Sequence, residues 1–444
     1  MMSSRRSADF SFEPKPLAMG VSPETIFAHS SGSAPAAIAI IRITGDLAFQ
    51  AGAAMAGPLP EPRQAAVRTL RGNDGELLDE ALLLCFVAPA SSTGQDLVEF
   101  HCHGSRAVIA RILFELGQMP GLREAFPGEF TRRAFENGKI DLTGAEGLAD
   151  LLEAETEGQR RAALAVAGGA LRRQAELWRE RLMTLSARVE AAIDYDDEDS
   201  TQVDAEALAG EAEDLRAELE EWLARPRADV LRNGLRILVA GPPNSGKSSL
   251  LNALVEDDKA IVTAIAGTTR DVIEVPVAIG GVSLIMVDTA GIRESDDPIE
   301  SEGIARAIRQ IEAADLLLWL GSPDEVPIHR KILLIHSKAD LGQSSAEAAI
   351  RVSATTGEGV ADLRERILVE AAGLLPAPNL IALNHRQATA LGDAALALAD
   401  ARPTDLVFTA EAMRAARAAI DRVTGRSGVE DLLDALFGRF CLGK

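Results

Sequence analysis

The sequence predicts a multidomain chain of mixed class, α/β together with α+β. Three observations predict it. Short apolar runs closed by Gly or Pro fill the first third, as half-buried strands do. A single apolar stripe at helical spacing then takes over. Between two helical stretches lie near-continuous apolar runs alternating with helical segments, the pattern of a parallel sheet covered on both faces.

The bulk numbers agree. At 444 residues the chain can form two to four domains, and 47% hydrophobic with 25% charged residues is ordinary for a globular protein. No apolar run approaches the roughly 18 residues needed to span a bilayer, so no membrane association is expected. The opening MMSSRRSADFSFEPKPLAMG lacks an apolar stretch after its arginines, so it reads as a tail and not a secretory signal. Three cysteines, Cys85, Cys102 and Cys441, imply no disulfide framework and fit a reducing cytoplasm. A net charge of −22 argues against an extended nucleic-acid footprint, so any RNA contact is local, transient or shared with a partner.

Taken in order, 1–18 is the tail and 19–140 an α+β domain. Its strands are PAAIAIIRITG (35–45) and ELLDEALLLCFVAP (76–89), and SRAVIARILFEL (105–116) has helical spacing. His101, Cys102 and His103 hint at a metal, but strand alternation sends neighbours to opposite faces. A helical region spans 141–233. Leu171, Trp178, Leu182, Leu185 and Val189 recur at intervals of seven, four, three and four, one stripe on a long helix. The acidic run DYDDEDSTQVD (194–204) lacks the ligand alternation and central glycine of a calcium loop, so it reads as a solvated connection to the next helix. Residues 234–375 alternate strand and helix through LRILVAG, VSLIMVDTAG, ADLLLWLG and RKILLIHSKAD. After LLPAP the chain is helical again over 376–444, so the α/β unit is expected to be inserted into one helical domain.

The chemistry is written in that insert. Strand LRILVA leads into Gly241-Pro-Pro-Asn244-Ser245-Gly246-Lys247-Ser248 and then the helix Ser249-Leu-Leu-Asn-Ala-Leu-Val. This is GxxxxGK(S/T) with a strand before and a helix after, the context in which the pattern means a phosphate loop. Backbone N–H groups and the helix N-terminus favour phosphate oxygens. Lys247 reaches the β- and γ-phosphates and Ser248 binds magnesium. GTTRD (267–271) supplies Thr269 as a second magnesium ligand, Asp288 ends its strand as the acidic partner, and Thr289-Ala290-Gly291 follow, with the Gly291 N–H facing the γ-phosphate. These motifs in this order indicate a Ras-like, doubly wound GTPase (G) domain.

The base segment is Ser337-Lys338-Ala339-Asp340. Asp340 accepts from N1 and N2 of guanine, whereas Ser337 stands where an asparagine amide would touch the base and brace the phosphate loop. Guanine specificity with weakened binding is expected. Ser353-Ala354 fits the last base-contacting loop. After Gly291 comes Ile292, where Ras-like proteins carry a water-orienting glutamine. Asn244 offers a replacement: its carbonyl can hold a potassium ion beside the β–γ bridge, with further oxygens from the loop Thr263-Ala264-Ile265-Ala266-Gly267-Thr268. The water is left to Glu294, Asp296, Asp297 or Glu300, among which spacing does not choose.

GPPNSGKSSLLNAL, IAGTTRD and DTAG inside a helical domain, with FCLGK at 440–444, resemble the MnmE (TrmE) family of tRNA uridine-modification GTPases. LVEFHCHGS (97–105), PGEFTRRAFENGKIDLTGAEGLADLL (127–152) and VEAAIDYDDED (189–199) extend the resemblance over nearly the whole chain. It implies a potassium-activated GTPase that dimerises through N-terminal folate-binding domains. With a flavin-dependent partner, MnmG (GidA), such a protein places an aminomethyl or carboxymethylaminomethyl group on C5 of the tRNA wobble uridine. The carbon comes from a 5-formyl- or methylene-tetrahydrofolate. Asn244, Thr263, Ile265 and Thr268 match the potassium shell, Ser248 and Thr269 the magnesium ligands, and Glu300 the glutamate that positions the water. Arg42, Glu99, Lys139 and Lys444 match the folate site. Cys441 reads either as a nucleophile or as a buried helix end. Three stretches depart from the family: Ser337 itself, the serine-rich HSSGSAPAA (29–37), and a short segment before RKILLIH. A ribosome-assembly GTPase of the Era or EngA type is the enzymatic alternative, disfavoured because those proteins carry basic RNA-binding domains. A nucleotide-gated scaffold is the non-enzymatic one.

Overall fold

The computed structural model describes residues 24–194, 205–256, 273–288, 308–342, 350–375, 381–402, 404–427, 430–438, 440 and 443. It divides into two compact units, Met1–Ile140 with Leu432–Lys444, and Asp141–Asp431.

The first unit is built on β1 (Thr25–His29), β2 (Ala36–Thr44), β3 (Ala66–Arg71), β4 (Leu77–Phe86), β5 (Leu97–Gly104) and β6 (Leu122–Glu124). They form one sheet in the order β3-β4-β5-β2-β1-β6, antiparallel except for the β1–β6 pair. Period-two alternation sorts the strands' side chains. Ala39, Ile41, Ile43, Leu83, Cys85, Val98, Phe100 and Cys102 turn inward, where α1 (Ala48–Ala56) and α2 (Arg106–Gly117) close the core with Met55, Ile112 and Leu116. The alternate residues Ile38, Arg42, Glu99, His101 and His103 lie on the other face. Helix α3 (Glu129–Glu136) follows, and the C-terminal helix Glu430–Phe437 returns to this unit. Its end is seated on Gly128, at φ +71°, where a Cβ would stand 2.1 Å from the Phe437 carbonyl oxygen.

In the second unit, α4 (Leu142–Glu153), α5 (Glu157–Ala167), α6 (Ala170–Asp194), α7 (Ala205–Leu223) and the short α8 (Ala228–Asn233) precede the sheet. Asp141 caps α4, and Thr156 with Gln159 forms a reciprocal capping box at α5. The stripe of α6 is buried as expected, with Leu171, Trp178, Leu182 and Val189 at 0% exposure. Trp178 meets Trp222 edge-on at 5.1 Å and donates its indole N–H to Glu218 at 2.8 Å.

The sheet of this unit comprises β7 (Leu235–Ala240), β8 (Ile273–Ile279), β9 (Val282–Asp288), β10 (Leu316–Trp319), β11 (Ile332–Ser337) and β12 (Ile350–Val352). Its order is β12-β11-β10-β7-β9-β8, parallel apart from β8. Strand β8 escaped the sequence reading, although Gly280-Gly281 between two apolar runs is a hairpin signal and Pro276 suits an edge strand. Helices α9 (Lys247–Glu256) and α10 (Val360–Ala372) pack on the sheet. Beyond it, α11 (His385–Leu398) and α12 (Leu406–Thr424) share one core with α6 and α7 through Leu391, Met413 and Ile420. The α/β unit is therefore inserted between the halves of a helical domain. Among the described residues no helix is long and apolar enough to cross a membrane.

Candidate functional site

The chain first runs to one side of β7 (β8, β9) and then to the other (β10, β11, β12). Ligands of open α/β sheets bind at that reversal, outside the carboxyl ends of the strands. The phosphate loop sits there, between β7 and α9, so the exposed N–H groups of the first α9 turn face it. Asn244 takes the left-handed conformation, φ +61°, which asparagine tolerates better than most residues. The Lys247 ammonium donates to the carbonyls of Gly241 at 3.0 Å and Pro242 at 2.9 Å, which folds it over the loop. Ser248 and Ser249 lie in the first turn of α9.

The base segment begins at the end of β11 and reaches back to the loop. Ser337 Oγ donates to the Ser245 carbonyl at 2.6 Å, and Lys338 Nζ donates to the Asn244 carbonyl at 2.8 Å. The expectation that serine at 337 gives up the brace on the phosphate loop is thereby corrected. A hydroxyl on a short side chain suffices, because Ser337 ends a strand packed close to the loop: its Cβ lies 3.9 Å from where a Gly246 Cβ would stand. Ala339 is buried and anchors a short 3-10 turn, Ala339–Leu341, that leaves Asp340 exposed. Ser353 is fully buried, and its hydroxyl accepts from the Thr356 N–H at 3.2 Å, which shapes the turn that carries Ala354.

Several expected participants lie outside the described residues: Thr263, Ala264, Ile265, Ala266, Gly267, Thr268, Thr269, Thr289, Ala290, Gly291, Glu294, Asp296, Asp297, Glu300, Cys441 and Lys444. Asp288 closes β9. The acidic run from Tyr195 to Asp204 also lies outside.

A second polar cluster lies in the first unit. Arg42 and Glu99 are cross-strand partners on β2 and β5, and Arg42 Nε donates to Glu99 Oε1 at 2.8 Å. His101 Nε2 sits 3.2 Å from the other oxygen, Glu99 Oε2. Glu99 is 9% exposed, so this carboxylate is held between two nitrogen groups in a largely dry place. In the sequence His101 reads only as a candidate metal ligand. Its i, i+2 spacing from Glu99, which puts both on one face of β5, is the signal that it belongs here. Lys139 is exposed, its stem against Gly94. Near the end of the chain, Gly443 stands against His29 and Ser30; a Cβ there would lie 2.3 Å from Ser30 Oγ. That contact is at the end of β1, the strand paired with β2.

Three titrating groups behind and beside the cluster are shifted. Burial pushes the Cys85 thiol up to about 11, and burial together with nearby Asp79 pushes Cys102 up to about 11. Partial burial works to raise the Asp79 carboxyl. Hydrogen bonds from the His103 N–H and ring outweigh it and hold Asp79 below the usual carboxylate range.

The profile of the MnmE helical domain matches residues 142–441, and that of the GTP-binding protein TrmE N-terminus matches residues 25–139. The chain is similar to the tRNA modification GTPase MnmE of Erythrobacter litoralis, 52% identical, with 95% of this chain and 100% of the relative covered. It is similar to that of Rhizorhabdus wittichii at 50%, covering 95% and 97%. The protein of the same description from Novosphingobium aromaticivorans is 49% identical, covering 95% and 100%.

Proposed function

This chain belongs to the MnmE family, and from that premise we propose that it is a GTP hydrolase whose turnover drives modification of tRNA at C5 of the wobble uridine. The observation that carries the reading is a complete phosphate loop joined by Ser337 and Lys338 to a base segment ending in Asp340. A nucleotide bound there meets N–H groups and Lys247 at its phosphates and the Asp340 carboxylate at its base.

Magnesium at this site would fall to Ser248 and Thr269, and potassium to the Asn244 carbonyl with Thr263, Ile265 and Thr268. Asn244 sits in the phosphate loop itself, exposed and with a left-handed backbone, which leaves its side-chain carbonyl available to a cation. Potassium held there would supply positive charge where the phosphates gain negative charge. Glu300 would position the attacking water, so that the two together would replace the glutamine absent at Ile292.

The Arg42–Glu99–His101 cluster supports a tetrahydrofolate site in the first unit. Each carboxylate oxygen of Glu99 keeps a lone pair beyond its present partner, as a pterin N–H requires, and Lys139 and Lys444 would answer the acidic tail. Exposed Ile38 and Val67, on the face of the sheet opposite α1 and α2, support pairing of two N-terminal units into a homodimer. The flavin-dependent MnmG would share the redox and one-carbon chemistry. Cys441 would act as a nucleophile only if that chemistry runs through this chain.

Mass spectrometry of tRNA nucleosides from cells with and without the gene tests the reading. Loss of C5-modified wobble uridine, restored by the intact gene, is the expected result. An unchanged nucleoside profile removes the modification claim and moves ribosome assembly to first place.

A further inference from the structure

We propose that this site recognises guanine without a contact to N7, because Ser337 braces the phosphate loop and does not touch the base. The proposal rests on reading the loop as a guanine-nucleotide site. The Ser337 hydroxyl lies 2.6 Å from the Ser245 carbonyl. A carbonyl only accepts, so the hydroxyl must donate, and serine has one proton to donate. Guanine N7 is itself an acceptor. Toward it the Ser337 oxygen presents lone pairs alone.

An asparagine in the same place has two amide protons and a carbonyl, enough to serve the loop and the base at once. A serine serves one or the other, and the geometry assigns it to the loop. Lys338 completes the device by taking the preceding carbonyl, that of Asn244, at 2.8 Å. Two successive residues of the base segment thus hold two successive carbonyls of the phosphate loop. One of these belongs to Asn244, whose left-handed φ of +61° needs holding. Base discrimination is left to Asp340 at N1 and N2, with the Ser353-Ala354 turn beside the base. Ser337 acts on the phosphates through the loop and is a positioning residue.

The test compares GDP with 7-deaza-GDP, in which N7 is replaced by C–H. Dissociation constants of the full chain are measured by displacement of a fluorescent GDP analogue. The wild type is expected to bind the two within about twofold, as no hydrogen bond is lost. GDP binding more than about fivefold tighter than 7-deaza-GDP would overturn the proposal. Ser337→Ala should weaken both nucleotides by the same factor, roughly tenfold, the loss of one hydrogen bond that shapes the loop. A loss confined to GDP, or no loss at all, also counts against it. Ser337→Asn should create a preference for GDP over 7-deaza-GDP of about five- to tenfold; equal binding by that variant contradicts the assigned geometry. A wild-type chain that binds neither nucleotide overturns the guanine-site reading itself, which is a distinct result.

Discussion

Asp340 stands exposed on its 3-10 turn, free to meet the N1 and N2 edge of guanine. The two hydrogen bonds proposed for it would be charge-assisted, each worth about 1.5–3 kcal/mol. Asp340→Asn turns one acceptor into a donor, which clashes with the guanine amine and matches a carbonyl at the same carbon. The expected outcome is GTP binding weakened by about two orders of magnitude and xanthosine triphosphate binding gained, read by competition. Asn244 has a different test, because its backbone angle constrains the choice of variant. At φ +61° an alanine would add strain to the loss of the carbonyl, whereas glycine adopts that angle at no steric cost. The wild type should turn over GTP roughly tenfold or more faster in potassium chloride than in sodium chloride, and Asn244→Gly should run equally slowly in both. Equal turnover of the wild type in the two salts would remove potassium from the mechanism. Cys85 and Cys102 make the opposite kind of statement. Their thiols stay protonated far above neutral pH, and only the thiolate reacts. Folded protein treated with iodoacetamide at pH 8 should show neither cysteine alkylated, and modification of either without unfolding would contradict their burial.

At the scale of elements, the start of α3 and the end of the C-terminal helix form one joint. Gly128 precedes α3 with φ +71°, and the Phe437 carbonyl occupies the space a side chain would need. Phe437 also faces Phe135 at 6.2 Å. Gly128→Ala should cost about 2–4 kcal/mol, a left-handed penalty plus a backbone clash. Urea unfolding would measure it, and earlier proteolytic loss of the C-terminal helix would locate it. Glu129, the first residue of α3, adds a pH dependence. Burial works to raise its carboxyl, but Arg123, the Phe126 N–H and Arg133 together hold it below its ordinary 4.5. A depressed folded value contributes stability that is present above the unfolded pKa and is lost as pH falls through the folded one. Glu129→Gln should therefore flatten the acid side of the stability profile below about pH 4.5. These joints also mark the limit of what the chain discloses by itself. The long stripe of α6 and the apolar strands β7, β9, β10 and β11 were legible because period and run length are local properties. The phosphate loop was legible because its meaning lies in eight consecutive residues with a strand before and a helix after. The Ser337 brace was not, since it joins residues 92 apart and depends on a gap of a few ångströms. The seat of Phe437 on Gly128 was hidden for the same reason.

At the scale of the whole molecule, charge decides how the tRNA is met. A chain of net charge −22 repels a polyanion at long range, so attraction must come from guanidinium groups left free near the contact. Many are engaged within the protein: Arg123 with Glu24 and Glu129, Arg188 with Glu211, Arg216 with Glu213, and Arg386 with Glu146. Arg386 is further committed, since it also donates to the carbonyls of Arg422 and Val423 at the end of α12. Each phosphate neutralised by a free cation releases counterions and steepens the dependence of affinity on salt. A chain with two or three such contacts should lose less than about fiftyfold in tRNA affinity between 50 and 200 mM salt, against a thousandfold or more for six to ten contacts. The expected outcome is a shallow dependence for this chain alone, steepening on addition of the proposed flavin-dependent partner if that protein supplies the missing cations. Fluorescence anisotropy with labelled tRNA, run with and without the partner across that range, separates the cases. A steep fall for this chain alone would mean that it carries its own electropositive face, and that the tRNA need not be shared.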